Sequence, residues 1–166
     1  RDKTLAAYRN AMFHVVVQTV NELCTVELSA FYLDVLKDRV YCSPRNSRER
    51  RSAQTALYLI SRDLLRLLAP VLCFTAEEVW QALAGRPEDA PFTDSIHAAT
   101  CPAPLELPPD VGLVVHWDRL FEVREEVLKA LEIQRTAGLI GNSLEAEVVL
   151  EAGADIGPLL EKRAAD

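Results

Sequence analysis

The stretch "LLAPVLCFTAEEVW", residues 67–80, is apolar almost throughout, with a proline at Pro70 and paired glutamates at Glu77 and Glu78. Proline has no backbone N–H, and its ring collides with the carbonyl four residues earlier, so a helix entering from Leu67 stops at about Ala69. Thr75 followed by Glu78 three residues on has the pattern of a capping box, with Phe74 and Val79 as the accompanying hydrophobic staple. The stretch reads as two helices meeting at a short apolar corner. The second is expected to begin at Thr75 and to end near Ala84, with Gly85 as its C-terminal cap.

Working upstream, Ser47 is a suitable N-cap for the first of these helices. Its apolar stripe is Ala53, Ala56, Leu57, Ile60, Leu64, Leu67 and Leu68, which recur with helical period. The segment "CSPRN" before it breaks an earlier helical run, because the residue preceding Pro44 is pushed out of the helical region. That run carries Phe13, Val16, Val17, Val20, Leu23, Cys24, Leu28, Phe31 and Val35 on one stripe, with an irregularity expected near Thr25–Ser29. Downstream, residues 86–112 hold most of the chain's nine prolines and no helical period. They read as an extended connection, with short strands expected at "SIHAA" and "GLVVH". A helix from about Trp117 to Ala137, an alternating strand-like segment "SLEAEVVLE" and a short terminal helix "IGPLLEKRAA" complete the chain. The fold class is mainly α, a helical bundle with a small C-terminal α+β appendage. Residues 1–112 form the bundle and its proline-rich connection, and residues 113–166 the appendage.

The 166 residues carry 49% apolar and 26% charged side chains, as ordinary globular chains do. No window reaches the 18 or so apolar residues that a membrane span needs. Four cysteines and three histidines are scattered without metal-ligand spacing, so no metal site is expected. Cys24 and Cys73 lie in apolar runs and read as reduced core residues, which suits the cytoplasm. No initiator Met is present, and the chain is read as part of a longer one. Glycine-rich phosphate loops, nucleophile elbows and di-iron E-x-x-H pairs are absent from the sequence, so catalysis by this chain is not expected. Glu27, Asp34, Arg124 and Arg135 interrupt apolar stripes and are expected to pair across the bundle, the alternative being that they face a neighbour outside this chain, since a buried unpaired charge is too costly to keep.

The net charge of −7 hides an asymmetry. Between Lys37 and Arg66 there are eight basic and three acidic residues. At 100° per residue, Arg48, Arg51, Thr55, Tyr58, Arg62 and Arg66 fall within one arc of roughly 80°, opposite the apolar stripe, over about 27 Å of helix. Solvated faces mix both signs, whereas this one is almost all arginine, with Lys37, Arg39 and Arg45 just upstream. Arginine's planar fork matches phosphate oxygens. On the residues alone two readings stay open: a nucleic-acid surface, and a helical protein-interaction module whose arginine-rich face meets an acidic partner.

"LSAFYLDVLKDRVYCSPRNSRERRSAQTALY", "LLRLLAPVLCFTAEEVWQAL", "DSIH" and "KALEIQRTAGLIGNSLEAEV" occur in that order and cover most of the chain. Together they resemble the anticodon-binding domain of bacterial-type isoleucyl-tRNA synthetases, which are class I enzymes. "IGNSLEAEV" sets the chain apart from the related valyl and leucyl enzymes. "VELS" departs from the family's usual Asp-Leu-Ser but keeps the carboxylate, on Glu27. The resemblance implies that the bundle binds the anticodon stem-loop of isoleucine tRNA, alongside the remaining synthetase domains in cis. It also implies a monomeric, cytoplasmic protein without a membrane partner. The RNA-binding residues then expected are Lys37, Arg39, Arg45, Arg48, Arg51, Tyr58, Arg62 and Arg66. ATP with magnesium would be used by catalytic domains carrying H-I-G-H and K-M-S-K-S, and zinc would sit in a C-terminal module. None of these signatures occurs in the chain, which is itself expected to need no cofactor.

Overall fold

The computed structural model describes residues 1–85, 95–104 and 111–163. The chain divides into two compact units, Arg1–Pro104 and Leu105–Asp166. The first holds α1 (Asp2–Arg9), α2 (Phe13–Glu22), α3 (Leu33–Val35), α4 (Lys37–Tyr41), α5 (Arg48–Leu68) and α6 (Cys73–Leu83). The second holds α7 (Val111–Thr136) and α8 (Gly157–Arg163). The architecture is mainly helical, and no strand occurs among the described residues.

α5 begins and ends where its sequence dictates. Ser47 is extended and its hydroxyl accepts the Arg50 amide hydrogen at 3.2 Å, satisfying one orphan donor of the first turn. At the other end Pro70 has no N–H to give the Arg66 carbonyl, so the ladder stops at Leu68. The freed carbonyls find other donors: Leu68 accepts from the Val71 and Leu72 amides, and Leu67 from the Tyr8 hydroxyl at 2.6 Å. Burial pushes the Tyr8 hydroxyl pKa up, with nearby Cys101 and Cys73 adding to it.

The chain turns back sooner than the capping-box pattern suggests. α6 starts at Cys73, with Leu72 at the cap position and no side-chain cap bond. Thr75 therefore lies inside the first turn, and Phe74 is 92% exposed rather than stapled to Val79. The backbone turn after Pro70 already delivers the Ala76 amide to the Leu72 carbonyl at 2.8 Å, which fixes the start without a polar cap. The expected end holds: α6 stops at Leu83 and Gly85 takes a φ of +67°, a conformation natural to glycine.

Folding α6 back onto α5 builds the core cluster of Leu65, Ala69, Ala76 and Ile96, with Trp80 against it. Ile96 arrives on a short turn, Ile96–Ala98, whose 3₁₀ geometry replaces the strand expected at "SIHAA". Buried Glu77 holds that turn: its carboxylate accepts from the Ser95 hydroxyl at 2.7 Å, the Ile96 amide at 2.9 Å and the Gln81 amide at 2.5 Å. His97 Nε2 lies 3.2 Å from the Cys73 carbonyl, which can only accept, so that nitrogen carries the proton.

The irregularity expected near Thr25–Ser29 is a π-helical stretch, Leu23–Tyr32. Ser29 Oγ donates to the Cys24 carbonyl five residues back at 2.7 Å, and Thr25 Oγ1 to the Asn21 carbonyl at 2.8 Å. Such back-bonding competes with the regular ladder. The long apolar stripe is less covered than its pattern suggests: Val16 and Val20 are buried, whereas Phe13, Val17, Leu23 and Val35 are exposed. Cys24 is half-buried and Cys73 exposed, so neither is a core residue; all four cysteines are free. The interrupting charges are exposed too, and local ion pairs serve two of them: Asp34 with Lys37 and Arg135 with Glu132.

In the second unit "GLVVH" lies within α7 rather than in a strand, and Gly138, with φ +73°, follows the helix end. The strand expected over 143–151 does not form: Ser143–Glu145 make a 3₁₀ turn and no ladder follows. Period-two alternation creates a strand only when another edge supplies hydrogen bonds, and no such edge lies among the described residues. Instead Val148, Leu150, Ile156 and Leu160 line an apolar groove with Val123 and Val127 of α7. Residues 86–94 and 105–110 of the proline-rich connection lie outside the described residues.

Ser47→Ala should lower stability by about 1 kcal/mol in urea unfolding, whereas Thr75→Ala should change it by less than about 0.5 kcal/mol. Equal losses in the two variants would contradict the observed cap positions. The Glu77 carboxyl gives a pH test. Burial pushes its pKa up, but the bonds from Gln81, Ser95 and the Ile96 amide, with His97 nearby, outweigh burial and hold it below the ordinary value. Such a group stabilises the fold above its unfolded pKa and ceases to do so as pH falls through the folded one. Glu77→Ala should thus cost roughly 2 kcal/mol at neutral pH, and the difference should shrink below about pH 4. A difference that grows on acidification would refute the assigned tie.

Candidate nucleic-acid interface

The arginines expected on one edge of α5 are on that edge, but they do not share one environment. At the C-terminal end the same arc also carries Leu65 and Ala69, and both are buried against α6 and Ile96. α6 therefore covers part of the edge, and the arginines beside it are drawn into internal contacts. Arg62 aims both Nε and a terminal nitrogen at Asp63 Oδ1, each at 3.0 Å. Arg66 reaches the same oxygen at 4.0 Å and lies over the Trp80 ring, 5.5 Å from its centroid. The two side chains are 30% and 25% exposed. Asp63, on the helical ladder beside them, answers much of their charge.

The N-terminal half is different. Arg39, Arg45, Arg48 and Arg51 are exposed, and none has an ion pair among the described residues. Tyr58 stands between the two groups, 49% exposed. Lys37 is exposed but bound to Asp34 at 2.6 Å, and that hydrogen bond raises its pKa. Glu49 is the one carboxylate of the first turn. Hydrogen bonds from its own amide and Ser47, then the charges of Arg48 and Arg39, hold its pKa below the ordinary value. It thus stays ionised beside the arginines and offsets part of their field.

The structure adds one residue that the helical arc left out. Arg50 lies on the apolar side of α5 and is half-buried there. Its terminal nitrogen donates to the Ser43 carbonyl at 3.2 Å, tying the 42–46 turn to the helix. Beside it opens a hollow of about 650 Å³ lined by Arg45, Asn46, Arg50, Arg51 and Gln54. Every lining side chain can donate hydrogen bonds, and none is acidic. The sequence signal for this feature was the run "PRNSRERR", in which a turn places Arg45 over the helix start.

No group of three or more His, Cys, Asp or Glu residues that could hold a metal ion occurs among the described residues, so their donors do not fit zinc. No helix there is long and apolar enough to cross a membrane. In general, arginine-rich surfaces with exposed aromatic side chains suit nucleic-acid backbones and unstacked bases.

Comparison with known proteins gives the family. Residues 2–150 match the family model described as the anticodon-binding domain of tRNA ligase. The isoleucine–tRNA ligase of Laribacter hongkongensis is 46% identical over 153 residues, covering 92% of this chain and 16% of that protein. That of Desulforamulus reducens is 44% identical over 164 residues, covering 99% of this chain and 17% of the relative. That of Symbiobacterium thermophilum is 46% identical over 159 residues, 96% and 17% respectively. The chain thus spans about one sixth of the length of these curated relatives. A helical bundle with an open arginine surface, matched over most of its length by that family model, belongs to the anticodon-binding domains of tRNA ligases.

Proposed function

We propose that this chain binds the anticodon stem-loop of an isoleucine tRNA as one domain of an isoleucine–tRNA ligase, an enzyme that attaches isoleucine to its tRNA using ATP. The observation that carries the reading is the cluster of arginines around the start of α5 that form no ion pair among the described residues, in a chain whose net charge is −7. Acidic chains repel RNA in general, so a local basic surface concentrates the encounter at one place. Arg39, Arg45, Arg48 and Arg51 supply the first contacts, with Lys37 at their edge. Arg62 and Arg66 extend the path once Asp63 yields to phosphate. Tyr58 offers a ring on which an unstacked base can lie.

In this reading ATP with magnesium, and zinc, belong to other parts of the longer enzyme, which acts in the cytoplasm as a monomer. Those parts also cover apolar residues that stand open here, among them Phe74 at 92%, Val26 at 57% and Phe13 at 53% exposed. Isolated exposed apolar residues are common, but Phe13, Val17, Leu23 and Val35 stand open along one stripe, which supports a covering neighbour. The chain alone, without a phosphate-cradling loop, catalyses no ATP–pyrophosphate exchange.

The test is a gel-shift titration with an isoleucine tRNA anticodon stem-loop against a scrambled hairpin, repeated across KCl concentrations. Each phosphate neutralised should contribute roughly 0.7–0.9 to the log–log salt slope. The stem-loop should bind more tightly, with a slope corresponding to about three or more contacts. Asp63→Asn, which releases Arg62 and Arg66, should steepen that slope by about one unit. Equal affinity for both hairpins, or binding that ignores salt, would turn the reading toward a protein partner for this face.

A further inference from the structure

We propose that the hollow at the start of α5 is a binding site for a single RNA backbone phosphate, held between the guanidinium groups of Arg45, Arg50 and Arg51. The proposal rests on the RNA-binding reading and adds to it the point at which the backbone is gripped.

Three observations converge there. First, three arginines line one open hollow of about 650 Å³, and none of its lining residues is acidic. Like charges brought together stay together at least cost when an anion sits among them, and a phosphate oxygen pair matches the arginine fork. Second, Arg50 is fixed by its bond to the Ser43 carbonyl at 3.2 Å, so one arginine of the hollow is held in place before any anion arrives. Third, the walls are preorganised. Pro44 stops the preceding helix, Ser47 caps α5, and the Ser47 amide bonds the Pro44 carbonyl at 2.9 Å, so Arg45 and Asn46 sit on a closed turn above the helix. The remaining lining groups, the Asn46 and Gln54 amides, can donate to a second phosphate oxygen or to the adjoining ribose.

The site differs from the rest of the edge in what it demands. A solvated basic face needs only positive charge, so lysine replaces arginine there without loss. A clamp needs the planar fork, and lysine keeps the charge without the second hydrogen bond. Substitutions at Arg45 and Arg51, both exposed, should leave thermal unfolding unchanged.

The experiment uses the whole chain and the anticodon stem-loop hairpin, with affinity measured across KCl concentrations. Arg45→Ala and Arg51→Ala should each weaken binding about tenfold and flatten the salt slope by roughly 0.7–0.9. Arg51→Lys should restore the slope but remain several-fold weaker than the parent chain. A hairpin with a neutral methylphosphonate at one loop position should bind the parent chain about tenfold less tightly and Arg51→Ala with no further loss. Lys129→Ala, in the second unit, controls for the removal of one positive charge. If both alanine variants match the parent chain while the hairpin still binds with steep salt dependence, the clamp is overturned and the RNA reading stands. An Arg51→Lys chain with full affinity also overturns the clamp. Failure of the parent chain to bind the hairpin overturns both. Saturable binding of inorganic phosphate alone, at constant ionic strength and without competition from the hairpin, assigns the hollow to a free anion instead.

Discussion

Pro70 is the constraint on which the first unit turns. Because it has no amide hydrogen for the Arg66 carbonyl, α5 cannot continue, and the chain reverses within four residues into α6. That reversal brings Ala76 onto Leu65 and Ala69, and Glu77 to the turn that carries Ile96. The same reversal sets Trp80 beneath Arg66. A corner made by one missing hydrogen bond thus decides both where the core lies and which part of the arginine edge is left open.

The consequence for function is a gradient along α5. Near the corner, packing is dense enough that arginines fold their stems over apolar surface and share Asp63. Towards the helix start Ala53 is still buried on the apolar side, but the arginine edge is open, and the exposed guanidinium groups of Arg48 and Arg51 form no ion pair among the described residues. The 42–46 turn adds Arg45 to this open end, and the Arg50 bond to Ser43 keeps the turn in place. Charge is thereby presented on a turn held by the Ser47 amide to the Pro44 carbonyl and by Arg50 to the Ser43 carbonyl.

Much of this was legible in the sequence, and the misses have physical causes. The bounds of α5, its Ser47 cap, the Gly85 and Gly138 terminations and the mainly helical class follow from local chemistry that tertiary packing does not override. The Thr75 cap failed because the backbone turn after Pro70 starts α6 two residues earlier, with the Ala76 amide already bonded to the Leu72 carbonyl. "GLVVH" and "SLEAEVVLE" have strand-like composition, but a strand exists only with a paired edge, and the first of them was absorbed into α7. A helical wheel treats every turn of α5 alike, so it could not tell Arg62 from Arg48; that difference comes from α6. The wheel also set Arg50 on the apolar side, and only the fold shows it tied to the Ser43 carbonyl beside the hollow. The family resemblance, carried by motifs spread over most of the chain, was the most legible feature of all.

The gradient can be read directly from the Nε–H resonances of the arginines in ¹H–¹⁵N spectra, recorded while an anticodon stem-loop hairpin is added. Arg45, Arg48, Arg50 and Arg51 should shift or broaden at the lowest RNA ratios, with Arg62 and Arg66 following only as Asp63 is displaced. Early, large shifts at Arg62 and Arg66 with the N-terminal group unmoved would contradict an RNA surface centred on the start of α5.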